Sequence, residues 1–514
     1  MIKIFIDEKP FDVEEGLTIF NAAEQNGISI PHLCYHPAFP PEGTCRMCLV
    51  EIEGVPKLEL SCSTQVRDGM KIFTHSDRVE EARRGVLEFL LAEHPIDCPI
   101  CDQAGDCKLQ DYYDEYGFYD SQFSEVKEKR EKKVEIGKNL LLDQERCILC
   151  RRCVRFLSEV TKTRELGVFK RGNHTEINVY DGLQIDNNYS GNLAQLCPVG
   201  AITDKDFRFQ TRNWFLDSGE SICPLCSRGC RISIDYHKGF ARFPVPKRVY
   251  RVKAEYNPDI NGYWICDMGR YGYGYLDGSR LEKVLTNNGS KSSDAKKAVE
   301  DAAKWIVRLR HMNKTKNIIL VLNTWLSNEE LYLIKKIFNE NLSVKKIYFV
   351  DLPDGKGDDI LMTAERTPNK RGAKELGFDL VPFDLDAINK KTDMIIVFGS
   401  FMTLQYKNTE LHDAFGLIKH KILFTPNSGE FTDLFDLVLP VSLIPEKAGS
   451  LTNIDGIIQE FTPVLEPAGD SRAEWDILVE IGKIINIDFK YYKQFSSPDK
   501  IRTEMGKEIP FFRK

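Results

Sequence analysis

The sequence predicts a multidomain α/β chain in which a cysteine-rich series of small strand-and-loop domains precedes a larger, parallel α/β domain. Three observations carry this reading. At 514 residues the chain is too long for one hydrophobic core, so about three to five domains are expected. All fifteen cysteines lie between Cys34 and Cys266, and residues 267–514 contain none. Beyond about residue 290, short apolar runs alternate with helical stretches.

Composition narrows the function. With 42% hydrophobic residues, 29% charged residues and a net charge of -7, the chain reads as an ordinary soluble protein, with no reason to expect nucleic acid or an anionic membrane surface as partner. The start, Met1-Ile-Lys-Ile-Phe-Ile-Asp, enters a strand pattern directly and lacks the parts of a signal peptide. No window approaches the ~18 to 20 consecutive apolar residues of a bilayer span. An intracellular, reducing location is therefore expected, which disfavours a disulfide framework and favours metal or cluster ligation.

Fifteen cysteines fit neither full disulfide pairing nor complete sets of four. Adding His94 makes sixteen ligands, and the spacings divide them into four groups. The first begins after the alternating Ile2, Ile4, Ile6 strand, the Gly16 break and a helical stretch from Thr18 to Gln25. Cys34, Cys45, Cys48 and Cys62 follow the plan of plant-type 2Fe-2S ferredoxins with a longer first loop. Gly43 suits a loop whose backbone approaches inorganic sulfide. Zinc held by four thiolates is the competing reading, although zinc sites usually show two close pairs and only one is present.

Next, Arg78 to Glu93 has helical periodicity, with Val79, Ala82, Val86, Phe89 and Leu90 as the expected buried face. His94-Pro95 ends it. A histidine at a helix end is commonly a surface dipole partner, but His94 stands four residues before Cys98, Cys101 and Cys107, a group otherwise short of one ligand. Zinc bound by three thiolates and one imidazole satisfies the same spacing. The mixed-charge run Lys127-Glu-Lys-Arg-Glu-Lys-Lys133 reads as a solvated linker face.

The third group, Cys147, Cys150 and Cys153 with the remote Cys197-Pro198, has the arrangement of bacterial 4Fe-4S ferredoxins. Cys223, Cys226, Cys230 and Cys266 form the fourth, where a zinc ribbon remains the rival. The following Gly269-Arg-Tyr-Gly-Tyr-Gly-Tyr275 stretch reads as a compact Gly/Tyr turn region. In the last part of the chain, Ile318–Leu322, Ile347–Val350, Met394–Phe398 and Ile422–Phe424 have the character of buried parallel strands, and Glu329 to Asn339 that of a helix capped by Ser327 or Asn328. A Rossmann-like sheet is expected. No GxGxxG or Walker A motif follows these strands, so nucleotide binding is not supported.

With these groups in this order, the sequence closely resembles the iron-sulfur G subunit of bacterial complex I, the proton-pumping NADH:quinone oxidoreductase. The likeness rests on Cys34-Tyr-His-Pro, Cys45-Arg-Met-Cys48-Leu-Val-Glu, Glu93-His94-Pro-Ile-Asp-Cys98-Pro-Ile-Cys101 and Cys147-Ile-Leu-Cys150-Arg-Arg-Cys153. It implies one 2Fe-2S cluster on Cys34, Cys45, Cys48 and Cys62. It implies three 4Fe-4S clusters, on His94, Cys98, Cys101 and Cys107, on Cys147, Cys150, Cys153 and Cys197, and on Cys223, Cys226, Cys230 and Cys266. The implied domains are a 2Fe-2S ferredoxin-like domain at 1–78, a histidine-ligated 4Fe-4S domain at 79–118, further 4Fe-4S domains at 119–218 and 219–275, and an α/β scaffold at 276–514.

That last domain resembles the molybdopterin oxidoreductase fold through Asp436-Leu-Val-Leu-Pro440 and Gly449-Ser-Leu-Thr-Asn453-Ile-Asp-Gly456-Ile-Ile-Gln459. It lacks a cysteine for molybdenum, and Met268 stands where the molybdenum enzymes carry a lysine, so no molybdopterin is expected. The implied role is a relay of single electrons from an FMN/NADH-binding subunit and its small 2Fe-2S partner towards 4Fe-4S and quinone-site subunits. The chain would hold no substrate-converting site of its own and would sit on the cytoplasmic side of the bacterial inner membrane through its partners. The alternatives are a subunit of a soluble NAD-linked hydrogenase or formate dehydrogenase complex and, from a different class, a zinc-stabilised assembly scaffold.

Overall fold

Period-two burial in the first strand starts the fold, Ile4 and Ile6 turning inward while their neighbours face out. The computed structural model describes residues 1–117, 120–237, 239, 247–286, 291–485 and 495–513. Its backbone forms two compact units, Met1–Leu216 and Asp217–Lys514, taken separately below.

In the first unit, Ile2–Ile6 pairs antiparallel with Lys9–Val13 and parallel with Lys71–Phe73, and Leu49–Ile52 and Glu59–Leu60 complete a five-stranded sheet. Helix Ile19–Gln25, capped by the Thr18 hydroxyl, packs Ile19, Phe20, Ala22 and Ala23 against it. Cys48 and Cys62 belong to the same core, so the first ligand loop is walled by packed side chains.

Helix Asp77–Glu93 begins at a Ser76 cap and ends at His94, whose extended backbone is what a following proline demands. Its buried face differs from the expected one. Val79, Arg83 and Leu87 are buried, whereas Phe89 is 84% exposed. Arg83 lies inside because its guanidinium donates to the Tyr116 hydroxyl and the Leu49 carbonyl and rests over the Tyr116 ring. A periodicity that counts arginine as polar misses this face.

The run from Lys127 to Lys133 is solvated at Lys129, Glu131, Lys132 and Lys133, as expected, yet three of its cations also bind other segments. Lys127 donates to the carbonyls of Leu91 and His94 at 2.6 and 2.8 Å, Arg130 to that of Thr175, and Lys132 meets Asp97, Asp143 and Glu145. Lys127, Arg130 and Lys132 thus tie the run to carbonyls and carboxylates of other segments, while Lys129 and Lys133 stay exposed.

In the second unit, Asp217–Ile222, Arg231–Tyr236 and Val249–Ala254 form an antiparallel meander. A seven-stranded sheet follows in the order Lys291–Ser293, Val284–Thr286, Leu437–Pro440, His420–Thr425, Met394–Phe398, Ile318–Leu322, Lys346–Phe349, the last five parallel. Four of those five coincide with the apolar runs read from the sequence. Ile318–Leu322 and Met394–Phe398 are buried throughout, as strands covered on both faces must be. The expected helix is present as Asn328–Ile334, closed by a capping box between Ser327 and Glu330, and continues as wider turns over Lys335–Asn341. Gly269–Tyr275 differs from expectation: it lies within helix Asp267–Tyr271 and a 3-10 segment, Gly272–Leu276. The Cys266 sulfur accepts from the Gly269 N–H and starts that helix, a cap that glycine content conceals. Among the described residues no helix is long and apolar enough to cross a membrane.

Candidate cluster-binding sites

Cysteine spacing builds the sites by letting the backbone turn sharply between ligands. Arg46, between Cys45 and Cys48, and both Leu149 and Arg151, among Cys147, Cys150 and Cys153, adopt left-handed conformations that non-glycine residues rarely take. Such alternation aims successive N–H groups into one concavity, the geometry of a nest for an anion. The Leu149 N–H reaches the Cys147 sulfur at 3.4 Å, and the Cys34 N–H reaches the Cys45 sulfur at 3.4 Å.

All four members of the first group are buried. Their sulfurs influence one another in two pairs, Cys34 with Cys45 and Cys48 with Cys62. Cys45 pulls Cys34 down to about 5 and Cys62 pulls Cys48 down to about 7, while Cys45 and Cys62 are pushed up in return. The structure thus gathers the four expected ligands. The third group is also gathered: Cys147, Cys150, Cys153 and Cys197 lie in one another's fields. Burial pushes these thiols up, Cys147 to about 12, and at Cys150 and Cys197 the Arg152 charge opposes it. Backbone N–H groups of Val199, Ala201 and Ile202 face the Cys197 sulfur.

The second group is gathered in part. Burial pushes Cys107 up to about 11, and its thiol lies in the fields of both Cys101 and Cys197. Gly200 abuts the Cys101 sulfur so closely that a Cβ there would fall well inside 3.0 Å. The second and third groups therefore adjoin. Burial pushes the His94 imidazole down to about 4, leaving it neutral with a lone pair to share, and its buried Nδ1 has no hydrogen-bond partner among the described residues. Around this group Arg146 forms a two-pronged pair with Asp97 at 2.9 and 2.7 Å, and Lys132 adds a third bond at 3.1 Å. Burial opposes the Asp97 charge, yet these cations hold its carboxyl below the usual range.

In the second unit the Cys223 N–H donates to the Cys230 carbonyl at 2.9 Å, closing the turn that carries Cys226. Cys230 lies in the fields of Cys223, Cys226 and Cys266, so the fourth group is gathered as well. A Cβ on Gly269 would meet the Cys223 and Cys266 sulfurs at 3.2 and 3.8 Å, a fit that leaves the sulfurs' shared space to glycine. The Gly449 to Gln459 stretch quoted from the sequence lies in a hairpin of Gly449–Thr452 and Ile458–Phe461, which holds this loop. Gln459 donates to the Gly229 carbonyl at 2.7 Å, the Ile454 N–H to the Ser227 carbonyl at 2.8 Å and Asn453 to the Arg228 carbonyl at 3.3 Å.

Sequence reasoning missed Arg152, Gly200 and the ion pairs at Asp97, because their partners are distant in the chain. It also missed the buried Lys447, which bridges Glu330 at 2.8 Å and Glu474 at 2.6 Å. Among the described residues no three His, Cys, Asp or Glu side chains converge closely enough to hold a single metal ion.

Donor chemistry fits iron-sulfur clusters: soft sulfur ligands that are buried except for the half-buried Cys98, Cys107 and Cys147, backbone N–H groups aimed at them, a neutral imidazole with an orphaned nitrogen, and glycines where a Cβ would intrude. Comparison with known proteins agrees. Residues 1–77 match a 2Fe-2S iron-sulfur cluster binding domain and 83–122 an NADH-ubiquinone oxidoreductase-G iron-sulfur binding region. Residues 137–203 match the ferredoxin-like domain of NADH-quinone oxidoreductase subunit 3, and 430–484 match molybdopterin oxidoreductase.

The chain is 39% identical to the NADH-ubiquinone oxidoreductase 75 kDa subunit of Reclinomonas americana over 71% of its own length and 52% of the relative's. It is 40% identical to the G subunit of NADH-quinone oxidoreductase from Streptomyces coelicolor over 56% and 34%, and 36% identical to that from Rickettsia conorii over 67% and 50%. The chain thus spans a third to a half of the length of these relatives. A solved NAD+-reducing [NiFe]-hydrogenase chain aligns over 41% of this chain and 91% of its own, at 32% identity and a TM-score of 0.38.

Proposed function

Because the chain is a relative of the G, or 75 kDa, iron-sulfur subunits of NADH-quinone oxidoreductase, we propose that it is an electron-transfer subunit of such an enzyme. In this reading it relays single electrons from an FMN- and NADH-binding subunit and its small 2Fe-2S partner towards 4Fe-4S and quinone-site subunits. Its sixteen ligands are Cys34, Cys45, Cys48 and Cys62 for a 2Fe-2S cluster, and three sets for 4Fe-4S clusters. Those sets are His94, Cys98, Cys101 and Cys107; Cys147, Cys150, Cys153 and Cys197; and Cys223, Cys226, Cys230 and Cys266. When bound, the clusters supply one-electron storage and transfer.

The observation that carries the reading is the burial of thiol sets within reach of one another, the second and third sharing the contact of Gly200 with Cys101. The residues of this chain exclude water from the sulfurs, stabilise their charge through backbone N–H groups, and fix spacing between neighbouring sites. The Rossmann-like α/β half serves as a scaffold, its hairpin clamping the fourth ligand loop. In the cell the chain lies on the cytoplasmic side of the bacterial inner membrane, held through its partners.

The test is metal and sulfide analysis of the full chain with identification of copurifying chains. About fourteen irons per chain are expected for one 2Fe-2S and three 4Fe-4S clusters, together with a flavin-binding NADH subunit. Stoichiometric zinc without sulfide would overturn the reading, and a hydrogenase or formate dehydrogenase partner would redirect it.

A further inference from the structure

Arg152, between Cys150 and Cys153, is only 7% exposed. Its guanidinium donates to the carbonyl of Leu196, the residue before Cys197, at 3.3 Å, and to the carbonyl of Tyr35, the residue after Cys34. One side chain thus joins the first and third ligand loops. Its Nε is buried without an acceptor, and among the described residues no carboxylate forms an ion pair with it. The other buried arginines of the third loop are paired, Arg146 with Asp97 and Arg155 with Glu159.

An unpaired cation inside a protein is costly, and carbonyl dipoles offset it only in part. The charge that would balance Arg152 is the one the flanking ligand sets carry when they hold their clusters: four thiolates around each iron-sulfur core leave a net negative charge. Arginine suits the position, since its planar fork reaches two carbonyls at once and stays charged at any physiological pH.

We propose that Arg152 is the shared counter-cation of the Cys34, Cys45, Cys48, Cys62 site and the Cys147, Cys150, Cys153, Cys197 site, raising the reduction potential of both. The proposal rests on the iron-sulfur reading above. Its consequence is that the two sites are tuned together, since the one side chain raises both potentials at once.

The experiment is an EPR-monitored redox titration of the cluster-loaded full chain as wild type, Arg152→Gln and Arg152→Lys, with Cys147→Ala identifying the 4Fe-4S signal. In Arg152→Gln the ratio of reduced to oxidised cluster at fixed potential should fall at least tenfold at both sites, about 59 mV for a one-electron couple. In Arg152→Lys, which keeps the charge, both midpoints should stay within that tenfold limit. A fall of less than tenfold at either site in Arg152→Gln, or of more than tenfold at either site in Arg152→Lys, overturns the proposal. If Arg152→Gln does not load, the lysine variant alone decides by the same limit. A wild-type chain that binds no iron would instead overturn the cluster reading itself.

Discussion

Gly200→Ala puts one methyl group where the second and third ligand groups adjoin. Its Cβ would lie well inside 3.0 Å of the Cys101 sulfur, with Gln103 Cβ at 3.3 Å and Arg146 Cδ at 3.6 Å behind it. Ordinary contact requires about 3.5 Å, so sulfur and methyl must separate by more than about 0.5 Å. Ligand positions in a metal site hold to within about 0.2 Å. Retreat of Cys101 is blocked, because Arg212 holds the Cys101 carbonyl at 2.7 Å and the Phe209 N–H holds Asp102 at 2.9 Å. Overpacking of this kind costs about 1–3 kcal/mol, and the least costly relief is for Cys101 to turn away from its cluster. Iron should therefore fall from about fourteen to about ten per chain, with the 2Fe-2S signal retained. Gly85→Ala, on an open helix position with nothing within 4 Å, is the control and should keep all its iron. Full iron content in Gly200→Ala would refute the view that this glycine keeps the Cys101 ligand in place.

Why the ligands were legible and their surroundings were not follows from where the information lies. Cys147, Cys150 and Cys153 announce themselves because closely spaced thiols have few other uses in a reducing compartment. Ile318–Leu322 and Met394–Phe398 are equally plain, since a strand covered on both faces must be apolar at every position. By contrast, Arg83 and Lys127 carry charges that a sequence reading sends to solvent, and only distant carbonyls draw them in, fully at Arg83 and in part at Lys127. Gly200 looks like an ordinary turn residue until the fold sets it against Cys101. His94 shows the limit in the other direction: burial and an orphaned Nδ1 suit a ligand, but its place beside Cys98, Cys101 and Cys107 comes from spacing and family resemblance.

Three further outcomes are expected. His94→Cys replaces a neutral imidazole by an anionic thiolate, so the midpoint of that cluster should fall in a spectroelectrochemical titration; an unchanged or raised midpoint would contradict histidine ligation. Lys447→Met leaves Glu330 and Glu474 buried without their cation and should destabilise the second unit by about 3–5 kcal/mol in urea unfolding, whereas a loss below about 1 kcal/mol would show the pair to be dispensable. The same cluster sets a pH dependence. Burial, and then the neighbouring Glu330, raise the Glu474 carboxyl to about 8, against an opposing pull from Lys447. A raised carboxyl binds its proton more tightly in the folded chain, so its contribution is fully present below the unfolded value of 4.5 and is lost as pH rises through about 8. Urea unfolding followed by tryptophan fluorescence should therefore show stability falling between about pH 5 and 8, by at most about 1.4 kcal/mol per pH unit for this one group. Glu474→Gln, which cannot ionise, should flatten that slope; a variant with the wild-type slope would place the titration elsewhere.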